Sequence, residues 1–325
     1  MQSKRRFAVA ALVCAVMVVI GSTAASARPQ SDAATLQTVK LALFPSLDYA
    51  PLFVGLKLGI WKKHGLDIKI TYTYTGAGLF AALTSGSADL ATNSPTAGSN
   101  AIAQGLPLKM LSLASYQPSK GNTEVLVKSD SSIKTFGDLA GKTVATINLQ
   151  GLFHLGTAAA IEKAGKDPQS LKALAMSPAD EPNALAAGRL DAIVLQDPFL
   201  TTAKLQNGNA FRSLGNPFKE LAFKVPVGAF WTSNNAIESK PELLNKFHAA
   251  WKECVAAAKA RPKLTLQVIP KYTGIAPTVT SLITTPEWTS GPPPKTGLGP
   301  MLVLLKKYGW IRTIPGYNEI VWNGK

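Results

Sequence analysis

The sequence predicts an α/β protein with mainly parallel sheets covered by helices. Two observations carry this prediction. Strand-like and helix-like segments alternate along most of the chain, the order that calls for parallel strands joined by crossover helices. A second observation is an internal repeat: "LTSGSADLATNSP" (83–95) and "LAAGRLDAIVLQDP" (185–198) share a Leu, a Gly three residues on, an Asp three residues later, an apolar strand and a Pro. Each copy reads as a helix stopped by Gly, a polar link and a short buried strand.

The elements follow in order. "VKLALF" (39–44) reads as a buried strand, "YAPLFVGLKLGIWKKHG" (49–65) as one amphipathic helix, and "LDIKITYTYT" (66–75) as a strand rich in β-branched and aromatic residues. The Gly76–Gly78 turn opens the helix "LFAALTSG", then come the strand "ADLATN", the helix "PTAGSNAIAQG" and the strand "LKMLSLASY". A second series follows: strand "TEVLVKSD", short helix "SIKTFGDLAG", strand "KTVATIN", helix "LFHLGTAAAIEKAG", strand "LKALAM", helix "ADEPNALAAG", strand "LDAIVLQ" and helix "PFLTTAKLQNG". After Asn216 the chain returns with the strand "VPVGAFWTSN" and the strong helix Lys240–Ala260, which has Pro241 near its start and Pro262 beyond its end. Ser290–Pro300 reads as a Pro/Gly loop that breaks regular structure, and "MLVLLKKYGW" as a closing helix.

Residues 1–27 read as an export signal: Lys4, Arg5 and Arg6, an apolar run from Phe7 to Ile20, and Ala25-Ser26-Ala27 at the cleavage position. The mature chain then keeps one cysteine, Cys254, so no intramolecular disulfide forms and packing alone must stabilise the fold. It carries 31 basic and 19 acidic residues, a net charge of +12. The lysines are scattered with no long run, which speaks against nucleic acid as a partner.

Motifs of catalysis and metal binding are missing from the sequence. There is no G-x-S-x-G, no phosphate loop, no H-x-x-x-H and no cysteine pair, and the histidines are only His64, His154 and His248. The reading is therefore of a non-enzyme without metal or cofactor. The chemistry-bearing residues gather instead at the carboxyl ends of strands, where open α/β sheets bind ligands. They are Asp48 and Tyr49, Gly76 and Ala77, Asn93, Ser94, Pro95 and Thr96, Gln150, Gly151, Leu152 and Phe153, and Gln196, Asp197 and Phe199. Trp231, in the returning strand, joins Tyr49, Phe153 and Phe199 as an aromatic face for a flat solute, while Asn93, Gln150, Gln196 and Asp197 orient its polar edge.

Taken as a set, "YAPLFVGLKLGIWKKHGLDIKI", "ALTSGSADL", "AIAQGLPLKML", "VKSDSSIKTFGDLAGKTVA", "IEKAGKDP" and "ALAAGRLDAIVLQDPF" resemble the nitrate/sulfonate/taurine and thiamine-precursor group of ABC-transporter substrate-binding proteins, over Lys40 to about Pro315. The resemblance implies a bilobed periplasmic-binding-protein fold of type II. Lobe 1 would comprise 28–118 plus 225–325, and lobe 2 would comprise 119–224, with hinges near Pro118–Glu124 and Ala222–Val227. It further implies a periplasmic monomer that holds a small-molecule solute between the lobes and delivers it to a membrane permease driven by a cytoplasmic ATPase. Sulfonate-binding members present Gly followed by Ser or Thr after the strand equivalent to "KTVATIN". Here Gln150-Gly151-Leu152-Phe153 stands instead, which favours an aromatic or heterocyclic organic compound, whether or not it is anionic, over a small inorganic anion. An enzyme of the same fold acting on a pyrimidine or menaquinone precursor, and an exported ligand sensor, are the alternatives.

Overall fold

The computed structural model describes residues 35–324; the expected export signal lies outside them. Among the described residues there are twelve strands: β1 (Gln37–Leu43), β2 (Leu66–Tyr72), β3 (Leu90–Asn93), β4 (Leu108–Leu113), β5 (Ser115–Tyr116), β6 (Thr123–Lys128), β7 (Thr143–Thr146), β8 (Lys172–Ala175), β9 (Ala192–Gln196), β10 (Phe211–Gly215), β11 (Ala229–Ser233) and β12 (Glu287–Trp288). They form two five-stranded sheets, ordered β2-β1-β3-β11-β4 and β8-β7-β9-β6-β10, and a small β12-β5 ladder.

The two large sheets have one design. In the first, β1 pairs in parallel with β2 and β3, and β11 runs antiparallel between β3 and β4. In the second, β7 pairs in parallel with β8 and β9, and β6 runs antiparallel between β9 and β10. Each sheet's one reversed strand is the one the chain lays down as it arrives from the other half of the molecule. Helices cover both faces, which is why the parallel strands can be apolar on both sides.

The sequence repeat has a structural cause. Gly86 (φ 71°) and Gly188 (φ 69°) both end helices in the left-handed conformation that suits Gly. Asp89 then accepts a hydrogen bond from Lys40 N at 2.8 Å, and Asp191 accepts one from Thr143 N at 2.8 Å. The backbone N–H of each aspartate returns a bond to the carbonyl of the same residue, at 2.8 Å for Asp89 and 2.9 Å for Asp191. Each aspartate thus staples the incoming strand to the first of the parallel strands in its sheet, β1 or β7. Asp89 also pairs with Lys240 Nζ at 2.6 Å, which ties the C-terminal return to the same point. Replacing either aspartate by Ala is expected to cost about 1.5–3 kcal/mol, the worth of a charged hydrogen bond, with Asp89→Ala the more costly; urea titration measures both.

Four apolar clusters fill the two sheets' faces. On one face of the first sheet, the helices Ala50–Leu58 and Pro241–Ala260 bury Phe53, Trp61, Phe247, Trp251 and Cys254. On its other face Leu79, Phe80, Trp231, Met301 and Leu305 pack together with Leu155 and Ala158 from the helix Leu152–Lys163, which follows β7 of the second sheet. The two halves therefore share a core.

Several elements differ from the sequence expectation. The first helix is broken at Gly59 (φ 70°), which turns Ile60 and Trp61 back into the core. "SIKTFGDLAG" forms only the turn Phe136–Leu139, because Asp138 bonds back to the N–H groups of Lys134 and Thr135 at 2.9 Å each and closes the chain locally. Phe211–Gly215, which carries too little alternation to read as a strand, pairs as edge strand β10 on β6. The Pro/Gly run is not wholly a loop: the helix Lys295–Lys307 begins inside it and tolerates Pro300, whose missing N–H would have served the exposed carbonyl end of Thr296.

Where the chain crosses between halves, its two passages lie side by side. Ala114 N bonds Gly228 O at 2.7 Å, Val227 N bonds Ser115 O at 3.0 Å and Gln117 N bonds Val225 O at 2.9 Å, while β12 pairs on the far edge of β5. No helix among the described residues is long and apolar enough to cross a membrane.

One buried group stands apart. Glu181 is fully buried beside β9, and neither carboxyl oxygen makes a hydrogen bond of normal geometry. Burial raises its pKa well above the usual value, offset only in part by the Val194 N–H. The unfolded chain ionises first as pH rises, so the folded state loses stability from about the ordinary glutamate pKa upward through the raised one. Glu181→Gln is expected to match the natural protein below that window and to exceed it by about 1–3 kcal/mol above it, as thermal melts at pH 4 and pH 8 would read.

Candidate functional site

The site forms where the carboxyl ends of β1, β3, β7 and β9 face one another. Beyond β1 the chain turns through Ser46, whose Oγ accepts from Asp48 N at 3.1 Å. This places the Asp48 carboxylate inside the molecule, 3% exposed. Ser115 Oγ donates to Asp48 Oδ1 at 2.5 Å and Ser46 Oγ donates to Oδ2. Gly228 allows the approach: a Cβ there would fall 2.8 Å from Asp48 Cβ. Burial raises the Asp48 pKa, and the Ser115 and Ser46 hydroxyls pull it back down. Gln196, at the end of β9, faces the same carboxylate and weakly favours its ionised form, yet its Nε2 makes no hydrogen bond of normal geometry. Tyr49 is buried beside Asp48, with its hydroxyl donating to Ala229 O at 3.3 Å; burial and the adjacent carboxylate raise its pKa well above the usual range.

From β3 come Asn93 and Ser94. Ser94 caps the helix Pro95–Ala103 by accepting from Ala97 N at 3.1 Å, and its own N–H donates to Asn93 Oδ1 at 2.9 Å. From β7 comes Asn148, whose Nδ2 donates to Asn93 Oδ1 at 3.3 Å. The helix Leu152–Lys163 starts at the same place with no side-chain cap, and its first residues, Leu152 and Phe153, line the cavity.

These groups border a cavity of about 60 Å³, partly open to solvent, lined by Phe44, Ser46, Asp48, Tyr49, Leu79, Asn93, Ser94, Ile147, Asn148, Leu152, Phe153, Gln196 and Val227. By the measure in which one water needs about 10–15 Å³, this holds a single small ring. A groove of about 970 Å³ lies outside it and shares Asn93, Ile147 and Asn148 with it. Neither lining contains a Lys, Arg or His. Among the described residues no group of three His, Cys, Asp or Glu side chains is placed to hold a metal.

The sequence candidates separate into three sets. Asp48, Tyr49, Asn93, Ser94, Leu152, Phe153 and Gln196 line the inner cavity; Gly76, Ala77 and Gln150 line the outer groove. The remaining ones do other work. Pro95 opens its helix, and Thr96 is fully buried with Oγ1 2.9 Å from Met301 Sδ. Gly151 backs Asn148, since a Cβ there would lie 2.7 Å from Asn148 Cβ. Asp197 ties down the next helix and a distant loop, accepting from Thr201 Oγ1 at 2.6 Å and Thr284 N at 3.0 Å. Phe199 packs on Phe44 with ring centroids 6.1 Å apart and lines a separate groove with Pro198. Trp231 is fully buried in the core, where a Cβ on Gly98 would lie 2.1 Å from its ring. The aromatic walls of the cavity are thus Phe44, Tyr49 and Phe153.

The residues the sequence reading missed are Phe44, Ser46, Leu79, Ile147, Asn148, Ser115 and Val227. His154, the one histidine near the site, accepts from Gln150 N at 3.0 Å, and burial pushes its pKa down to about 4, so it is neutral.

The family model described as NMT1/THI5 like matches residues 46–264. The chain belongs to the NMT1/THI5-like family. A protein of Brachyspira hyodysenteriae named as a candidate ABC transporter periplasmic binding protein is 24% identical over 279 residues, covering 79% of this chain and 75% of that one. Among solved structures, the alkanesulfonate-binding protein SsuA of Xanthomonas axonopodis pv. citri, bound to MOPS, superposes with TM-score 0.73 at 20% identity, over 88% of this chain and 98% of that one. A Candida albicans protein described as having the generic periplasmic binding protein structural fold gives TM-score 0.73 at 16% identity, over 88% and 96%. The family member described here therefore has the periplasmic-binding-protein fold, as its sequence led one to expect.

Proposed function

We propose that this protein is the exported, monomeric solute-binding component of an ABC importer, which binds without turnover and presents its solute to a membrane permease driven by a cytoplasmic ATPase. The family and the relative named as a periplasmic binding protein support this reading. Residues 28–118 plus 225–325 and 119–224 are its two lobes, with the inner cavity between them.

The solute is a small flat heterocycle, neutral or cationic, with an N–H edge and a ring acceptor. The observation that carries this is the buried Asp48 carboxylate in a cavity without a cation. A sulfonate or nitrate there would meet a like charge and no basic partner, whereas an N–H donor gains a charge-assisted hydrogen bond. Gln196 Nε2, beside the same carboxylate, and the uncapped start of the helix Leu152–Lys163 offer donors to a ring acceptor. Phe44, Tyr49 and Phe153 supply apolar walls.

Native mass spectrometry of protein purified without denaturation, with identification of any released compound, tests the reading. Calorimetry against a panel of amino-substituted heterocycles, alkanesulfonates and nitrate complements it. Heat from an amino-heterocycle alone is the expected result; heat from sulfonates or nitrate alone would overturn it.

A further inference from the structure

The inner cavity has room for one small ring, and its lining runs on into the outer groove, since Asn93, Ile147 and Asn148 belong to both. A substituent on a ring held at Asp48 can therefore extend into a space of about 970 Å³. The polar side chains there are mostly primary amides: Asn93, Asn100, Gln104, Asn148 and Gln150. The one carboxylate, Asp180, is exposed, and the lining holds no basic side chain. Three of the amides are linked. Gln104 Nε2 donates to Asn100 Oδ1 at 2.7 Å, and Asn100 Nδ2 donates to Gln150 Oε1 at 2.8 Å. Asn100 lies on the helix after β3 and Gln150 in the turn after β7, so this chain joins the sides contributed by the two sheets. Gln150 stands out on its backbone as well. Its φ of 53° is the one positive value at a residue other than Gly among the described residues. Gly would take that conformation without strain. Gln150 is held in it by its own N–H, which donates to His154 Nδ1 at 3.0 Å. A strained position that keeps an amide reaching across the groove points to use of that amide.

We propose that the outer groove is a second subsite for the same solute, which takes a neutral, hydroxyl-bearing chain attached to the ring, with Gln150 as the residue that reads it. The inference rests on the inner cavity holding the ring. A hydroxyl both donates and accepts, and so does a primary amide, so each hydroxyl of such a chain can be met in either sense. Gln150 Nε2 makes no hydrogen bond among the described residues and is open to a guest. An anionic tail would find no basic partner in the groove, and a wholly apolar tail would cover the amides without pairing them. Asp48 thus selects the ring, and the amides select what the ring carries.

Calorimetry on matched compounds tests this. The probes are cytosine, cytidine and cytidine 5′-monophosphate, and 5-aminoimidazole-4-carboxamide with its riboside and its riboside monophosphate. In at least one set the riboside is expected to bind about tenfold more tightly than its bare ring, the worth of one or two neutral hydrogen bonds, and more tightly than the monophosphate. Gln150→Gly removes the amide and suits the backbone at that position; it is expected to cut the ratio of riboside to ring affinity about fivefold, with unchanged circular dichroism. Gln150→Asn, which also tolerates a positive φ but is one methylene shorter, serves if the glycine variant does not fold and is expected to cut the ratio as well. A ring that binds as tightly as its riboside, a monophosphate that binds tightest, or a ratio that the folded Gln150 variant leaves unchanged overturns the second subsite and leaves the ring reading standing. Binding by no member of either set overturns the ring reading and the subsite with it.

Discussion

Asn in place of Asp48 is expected to lower affinity for the solute about 5- to 10-fold, the loss that follows when a hydrogen bond to a charged group becomes one to a neutral group. The substitution keeps the shape of the side chain: one of Ser46 and Ser115 still donates to its carbonyl oxygen, and the other turns its hydroxyl to accept from the new amide N–H. An anion should respond in the opposite direction: removing the negative charge is expected to improve whatever weak binding methanesulfonate shows. Calorimetry on natural and Asp48→Asn protein, with the compound recovered by native mass spectrometry and with methanesulfonate, measures both signs. Stability adds a third. Burial raises the Asp48 pKa, so the folded protein gains nothing from its ionisation and loses stability as pH rises from the ordinary aspartate value through the raised one. The Asn variant escapes that loss and is expected to melt higher at neutral pH than the natural protein. A carboxylate kept in a cavity at a cost to folding is one retained for what it binds. Equal affinity with equal melting temperature would sink the assignment.

Trp251→Ala carries the largest expected loss of stability. The indole is fully buried on the helix Pro241–Ala260, packs edge-on against Phe230 with centroids 4.8 Å apart, and donates from Nε1 to Thr289 O at 3.1 Å. Truncation removes the ring, leaves a cavity and orphans a carbonyl, for an expected cost of about 3–5 kcal/mol. The helix comes from the end of the chain and Phe230 from the returning strand β11, so the substitution tests whether the C-terminal return is integral to the first sheet. Urea unfolding should show a lower midpoint with one cooperative transition. A loss below about 1 kcal/mol would mean that the site collapses around the gap.

Much of this was legible in the sequence, for identifiable reasons. Short continuous apolar runs separated by Gly-terminated helices placed the parallel strands, and the repeated Leu, Gly and Asp marked the same staple in each sheet. The break at Gly59 was not legible, since the apolar spacing continues through it and only the left-handed backbone shows the turn. Asn148 escaped because "KTVATIN" reads as strand to its last residue. Strand β7 ends at Thr146, whose hydroxyl donates to Asn148 O, so Asn148 lies in the turn beyond the strand, where it lines the cavity. Ser115 and Val227 lie in the crossings between halves, where no periodicity points to a cavity. Trp231 could not be assigned a face from "AFWTS", because β11 is buried on both sides and alternation carries no signal there.

The paired crossings give the molecule a mechanical property. Strands bonded side by side, here with β12 on the edge of β5, form a ribbon that bends across its thin dimension more readily than it shears along its length, so rotation about one axis is the motion such a connection would favour. Ser115 belongs to this ribbon through its bond from Val227 N, and its hydroxyl also holds Asp48. Flexure of the ribbon and tension on the carboxylate are thus transmitted through a single residue. A solute that grips Asp48 loads the same strut, and whatever stiffens that strut narrows the swing of the whole protein.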